Sequence, residues 1–263
     1  MLRDADTAMY RAKALGKARH IIFDDAMHMR AATLLQLETD LRRALDREEF
    51  CLYYQPIIAL GTGKIVGFEA LVRWQHPQGL VSQAEFIPMA EETGLIHSIG
   101  RWVLHEACKQ MKIWQNTYPS NPPLTMSVNL SVKQFARDSL YREVAEILNE
   151  TQLDGNSLKL EITESVLMEN ADAAIEILNS LKLLDIQLQI DDFGTGYSSL
   201  SYLHHFPIDG LKIDRSFISR IGPHGENVEI VRTIVSLAQN LRMNVIAEGV
   251  ETAAQLAHLR TMQ

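Results

Sequence analysis

The stretch that decides the fold is LKLEIT, Leu158–Thr163. On an extended chain Leu158, Leu160 and Ile162 fall on one side and Lys159, Glu161 and Thr163 on the other, because successive strand side chains point to opposite faces. Other stretches repeat the pattern. In 125–131, Met126, Val128 and Leu130 oppose Ser127 and Asn129. In 210–214, Leu211 and Ile213 oppose Lys212. In 64–74, Val66, Phe68, Ala70, Val72 and Trp74 oppose Gly67, Glu69 and Arg73. Strands buried on both faces of an open parallel sheet read as near-continuous apolar runs. These have one apolar face, suited to covering helices, and one face with a polar group near the C-terminal end. A β/α barrel gathers such groups at one mouth.

Working outward, the expected strands are 50–55, 64–74, 124–130, 157–163, 187–191, 210–214 and 244–248. Strand ends at 129, 161, 191, 212 and 248 lie 21 to 36 residues apart, the size of a strand–helix unit. Between them run helical patterns. Ser82 and Glu85 form a capping box before a helix that stops at Gly94. The next helix carries Ile99, Trp102, Val103, Ala107, Met111 and Trp114. Others cover 140–148, 173–184 and 228–241, and Thr252 with Gln255 starts a last one. Ahead of the barrel, a helix over 25–49 carries Leu34, Leu37, Leu41 and Leu45 on one stripe. Residues 1–24 read as a helix, a stop at Gly16 and a short strand at 20–23.

Composition narrows the function. The chain has 263 residues, 46% hydrophobic and 22% charged, as a globular domain does. A net charge of −8 argues against a binder of long nucleic acid, which needs a basic stripe. No apolar run is long enough for a membrane span, and Arg3, Asp4 and Asp6 interrupt any signal-peptide core. Two cysteines, Cys51 and Cys108, read as reduced, buried and small in a cytoplasmic protein.

The polar residues at the strand ends are Glu69, Asn129, Glu161, Asp191, Asp192, Lys212 and Glu248. Brought together, five carboxylates repel one another unless cations intervene. All the acceptors are hard oxygens, which suit Mg²⁺ or Mn²⁺ better than zinc. The adjacent His204 and His205 cannot face one metal and read as surface groups. Any single strand-end carboxylate is explained as readily by a helix start, and Asp172 and Glu251 read that way. Recurrence on one parity is what that explanation does not cover.

Six motifs then carry a family resemblance: GFEALVRWQHP (67–77), SVNLS (127–131), EITES (161–165), DDFGTGYSSL (191–200), PIDGLKID (207–214) and AEGVE (247–251). In this order and spacing they resemble the EAL domain, the cyclic di-GMP phosphodiesterase family. The resemblance runs from about Leu37 to the end of the chain and implies a TIM-like β/α barrel with an antiparallel first strand. It implies Glu69, Asn129, Glu161 and Asp191 as ligands of a first metal. Asp191 and Asp192 resemble the pair that adds a second metal, and Glu248 the remaining acidic ligand. Glu69, Asp192 and Lys212 are the implied catalytic residues, Lys212 beside the attacking water. Gln55, Leu71 and Arg73 resemble substrate contacts, and a planar arginine fork suits phosphate. The loop 192–199 resembles a regulatory loop with Gly194 and Gly196, anchored by Glu164, grouped with Glu251, and joining a homodimer after the fifth strand. The implied reaction is hydrolysis of cyclic di-GMP to linear pGpG with two Mg²⁺ or Mn²⁺ ions, Ca²⁺ inhibiting. Binding without turnover remains the alternative reading.

Two stretches depart from that pattern. Residues 1–25 resemble the last helix and strand of a GGDEF (diguanylate cyclase) domain without its catalytic part, with 26–36 as a connecting helical segment and 37–263 as the EAL domain. The chain also stops before the family's eighth strand, so the expectation is a truncated barrel, impaired in folding or turnover and derived from a longer GGDEF–EAL protein.

Overall fold

The computed structural model describes residues 25–195, 203–221 and 228–262, with the helical backbone alone for 25–34. The expected cyclase-like remnant therefore lies outside the described residues, as does Gly196. Two compact units divide the chain: 1–51 with 73–95, and 52–72 with 96–263. Among the described residues, no helix is long and apolar enough to cross a membrane.

In the first unit, helix α1 (Asp25–Ala44) buries Leu37, Leu41 and Ala44. The helix stops five residues short of the expected end, because Leu45–Glu49 turn sharply into the first strand, with Glu48 in the left-handed region at φ 54°. Strand β1 (Phe50–Ile58) begins here, and strand β2 (Ile65–His76) ends here. A short strand that the sequence reading missed, β3 (Gly79–Val81), pairs antiparallel with the end of β2, Trp74 opposite Val81 and His76 opposite Gly79. Three aromatic rings form the centre of this unit: Phe50–Trp74, Phe50–Phe86 and Trp74–Phe86 centroids lie 6.1, 5.8 and 5.9 Å apart. Helix α2 (Gln83–Thr93) supplies Phe86. Its stop is as expected, Gly94 in the left-handed conformation at φ 78°, but its start is not: the Ser82 side chain makes no capping hydrogen bond.

The second unit holds the remaining strands: β4 (Thr125–Leu130), β5 (Leu158–Thr163), β6 (Gln187–Phe193), β7 (Gly210–Ile213) and β8 (Asn244–Ala247). The sheet order is β1-β2-β4-β5-β6-β7-β8. Pairing is parallel from β2 onward. β1 is antiparallel to β2: Ala59 N–H donates to Lys64 O at one end, and Gln75 N–H to Glu49 O at the other. Among the described residues β8 pairs with β7 alone and β1 with β2 alone, so the fold is a TIM-like β/α barrel left unclosed.

The alternation read from Leu158–Thr163 is what the sheet uses. Leu158, Leu160, Ile162, Leu188, Ile190, Leu211 and Ile213 are all fully buried, each worth about 1.5–3 kcal/mol of transfer free energy. Helix α3 (Ile96–Thr117) covers the outer face of β1 and β2, where Trp114 packs on Tyr54 and Phe68 at 4.8 and 4.7 Å between ring centroids. Its buried stripe runs through Ile99, Val103, Ala107 and Met111, the helical spacing expected of a face laid on a sheet. Helices α4 (Val132–Phe135), α5 (Leu140–Thr151), α6 (Glu164–Glu169), α7 (Ala171–Lys182), α8 (Arg215–Ile218), α9 (Val228–Asn240) and α10 (Ala253–Arg260) complete the strand–helix alternation. α10 starts with the capping box read from Thr252 and Gln255. Cys108 is buried in α3, whereas Cys51 is half-buried, not enclosed as expected.

Candidate metal centre

Lys212 is the hub of the barrel mouth. β7 is only four residues long, and its neighbours Leu211 and Ile213 are fully buried, which turns Lys212 to the inward face. Its Nζ lies 2.6 Å from Glu161 Oε2, 2.6 Å from Glu248 Oε1, 3.1 Å from Glu69 Oε2 and 3.2 Å from Asp191 Oδ1. Parallel register brings these groups together: Asn129 on β4 sits beside Glu161 on β5, and Glu69 on β2 beside Ser127 on β4. The Asn129 amide donates from Nδ2 to Glu69 Oε1 at 2.8 Å, which leaves its carbonyl oxygen free to ligate.

Asp191 and Asp192 pose a problem that the structure solves. Adjacent strand residues point to opposite faces, so both cannot serve one site on a regular strand. The β6–β7 register shifts between Ile190 and Phe193, and Asp192 takes φ 52°. Such a bulge re-aims a side chain at the cost of local strain. Ligand atoms of Asp191, Asp192 and Glu248 then lie within 4.8 Å of one another.

The electrostatics follow from one ammonium facing five carboxylates. Burial pushes the Glu161 carboxyl up to about 7, aided by Glu69 and Asp191 and opposed by the Lys212 ammonium. Burial likewise raises Asp192 and Glu248. Burial alone lowers the Lys212 ammonium, but Glu161, Asp191, Glu69 and Glu248 outweigh it and hold it above the ordinary lysine value. The surrounding carboxylates thus favour the charged form of Lys212. Excess negative charge of this kind fits divalent cations. So does Glu161 Oε1, buried without a hydrogen-bond partner among the described residues.

Other expected residues are placed as follows. Glu164, buried, accepts a hydrogen bond from Gly194 N–H at 3.0 Å. Gly194 has φ 93°, and a Cβ there would meet the Phe217 ring at 2.9 Å, so glycine is required twice over. Glu251 is exposed just before the N-cap of α10, and its N–H is held by the Gln255 side chain. Leu71 is half-buried on β2 with the parity of Glu69, and Gln55 is exposed on β1. Arg73 is half-buried on β2 in the first unit. His204 and His205 are exposed, as expected. Two residues were given no role in the sequence reading: Ser127, read there only as facing the same way as Asn129, and Gln189, both buried on the inward face of β4 and β6. Their parity with Asn129 and Asp191 was the available signal.

The fold is a TIM-like α/β barrel whose mouth gathers acidic side chains around one lysine. Residues 38–263 match the EAL domain, and this chain belongs to the EAL-domain family. Among curated proteins it is 44% identical over 256 residues to MucR of Pseudomonas aeruginosa, a bifunctional diguanylate cyclase/cyclic di-GMP phosphodiesterase, covering 97% of this chain and 37% of that one. It is 40% identical over 260 residues to the cyclic di-GMP phosphodiesterase PdeR of Escherichia coli, covering 98% and 39%. The chain thus spans well under half the length of these relatives. The solved PaMucR phosphodiesterase complexed with c-di-GMP superposes with a TM-score of 0.82 at 45% identity, covering 86% of this chain and 92% of that one. The cGMP-bound EAL enzyme Bd1971 gives 0.83 at 36%, covering 89% and 65%.

Proposed function

We propose that this chain is a phosphodiesterase domain that hydrolyses cyclic di-GMP to linear pGpG. The observation that carries this is the cluster of five carboxylates and one amide around a buried lysine at a barrel mouth. Glu69, Asn129, Glu161 and Asp191 would hold a first divalent cation, and Asp191, Asp192 and Glu248 a second, Mg²⁺ or Mn²⁺. When bound, such ions supply an activated water and neutralise charge on the phosphate. Lys212 orients the carboxylates and the water by donating hydrogen bonds. Gln55, Leu71 and Arg73 contact the nucleotide, Arg73 with paired hydrogen bonds to a phosphate. Glu164 steadies the loop that carries Asp192 through Gly194, and the continuation of that loop, with Gly196, takes part in a homodimer contact.

Residues 1–25 form the end of a cyclase-type domain in this reading. The alignment with a bifunctional relative runs across 97% of the chain, whereas the EAL match begins at residue 38. The domain would work on the cytoplasmic side. The deciding assay incubates the 263-residue chain with cyclic di-GMP and Mg²⁺ or Mn²⁺ and follows pGpG by chromatography, with Ca²⁺ as the inhibited control. Tight nucleotide binding without product would move the protein to the receptor class.

A further inference from the structure

Below the carboxylate layer, Gln189 is 1% exposed on β6, two residues before Asp191. Its register neighbours are Glu161 on β5 and Gly210 on β7. A Cβ at Gly210 would stand 3.1 Å from Gln189 Nε2, so the donor end of the amide occupies the space that glycine leaves open. The acceptor end is thereby turned away from β7. Gln189 Oε1 is buried without a hydrogen-bond partner among the described residues, and so is Glu161 Oε1 on the adjacent strand. Neighbouring strands lie about 4.8 Å apart. With Glu161 ionised, as a metal ligand must be, the two oxygens are both acceptors and cannot bond each other, and leaving both unsatisfied in a buried site is costly. A water molecule has two O–H donors and fits between such groups.

We infer that Gln189 is a positioning residue for Glu161, linked to it by a buried water that donates to both side-chain oxygens. The Glu161 carboxylate is then held at both ends, by the Lys212 ammonium on Oε2 and by the water on Oε1. An oxygen so held still has a lone pair for a cation. Outer groups that orient a ligating carboxylate tune metal affinity by about 10–100-fold. This inference rests on the metal-centre reading proposed above.

The test is Mn²⁺ binding by calorimetry on the 263-residue chain, unsubstituted and with Gln189→Leu or Gln189→Met, alongside thermal unfolding in EDTA. The expected result is at least about tenfold weaker Mn²⁺ binding in the variants, with Tm in EDTA unchanged or raised, because the buried amide and the water bound to it leave together and an apolar side chain takes their place. A purely structural glutamine gives the opposite pattern, a lower Tm with the same affinity, and that result overturns the inference. If Gln189→Leu does not fold, the more pliant Gln189→Met decides in the same way. No Mn²⁺ binding by the unsubstituted chain sinks the metal-centre reading, and this inference with it. Binding by that chain and equal binding by a folded variant sink this inference alone.

Discussion

Lys212 Nζ donates to Glu161 Oε2 at 2.6 Å across 51 residues of sequence, with both side chains almost wholly removed from solvent. Breaking such a pair strands a buried charge, at a typical cost of about 3–5 kcal/mol. Lys212→Met should lower stability by that order in EDTA at pH 8, read by urea unfolding. The loss should shrink as pH falls. Burial raises the Glu161 carboxyl in the folded state, so the folded chain takes up the proton more readily than the unfolded one, and acid relieves the stranded charge. A pH-independent difference would mean that Glu161 is not the group left unpaired. Phosphodiesterase turnover should disappear in the same variant.

Glu164→Gln tests the loop anchor. Its Oε2 is the acceptor for Gly194 N–H, and the substitution replaces a charged acceptor with a neutral one, at roughly half the hydrogen-bond strength. Amide exchange at Gly194 should accelerate while exchange in β5 stays slow. Turnover should drop by about tenfold through the loosened Asp192. Unchanged protection at Gly194 would remove Glu164 from this role.

The two thiols should differ in reactivity. Burial pushes the Cys108 thiol up to about 12, so it carries almost no thiolate at neutral pH. Cys51 is half-buried, with its Sγ accepting from Gln75 Nε2 at 3.2 Å. Under native conditions a thiol reagent should modify Cys51 alone, and Cys108 only in denaturant, as counted by mass spectrometry. Modification of both in the folded chain would contradict the packing of α3.

Asp40 gives a pH-dependent contribution of the opposite sign. The Gln36 amide, then His76 and Arg47, hold its carboxyl below the ordinary aspartate value. The stability it contributes is present above the unfolded value of 3.8 and lost as pH falls through the lower folded one. Stability curves of the unsubstituted chain and Asp40→Asn should therefore differ above that range and converge below it. Parallel curves down to pH 2 would show that the carboxylate is not stabilising the fold. The main contact is Gln36 Nε2 donating to Asp40 Oδ2 at 2.8 Å, with His76 Nε2 donating to the same oxygen at 3.4 Å while His76 Nδ1 accepts from Gln78 N–H.

Much of the barrel was legible because strand burial writes itself as residue alternation. Leu158, Leu160 and Ile162 announce one face and Glu161 the other, and all seven long strands appear within a few residues of their expected places. The ligand-type residues were legible for the same reason: a polar group that recurs on the inward parity of several strands is not explained by helix starts. Misses occurred where backbone geometry, not residue type, carries the information. Ser82 and Glu85 have the letters of a capping box, yet no side-chain cap forms. β3 is three residues long and too short to show a period.

Residue order alone shows which side chains face the barrel interior and that they are hard oxygen donors with one lysine among them, since both follow from local alternation and side-chain chemistry. How Asp191 and Asp192 reach the same mouth is a matter of three-dimensional geometry, because a left-handed φ of 52° and a register shift are not encoded in any residue period. Tertiary structure also decided the electrostatic surroundings of Lys212. Those depend on carboxylates arriving from four other strands and loops, up to 143 residues away in sequence, where Coulomb attraction at close range overrides the penalty of burial.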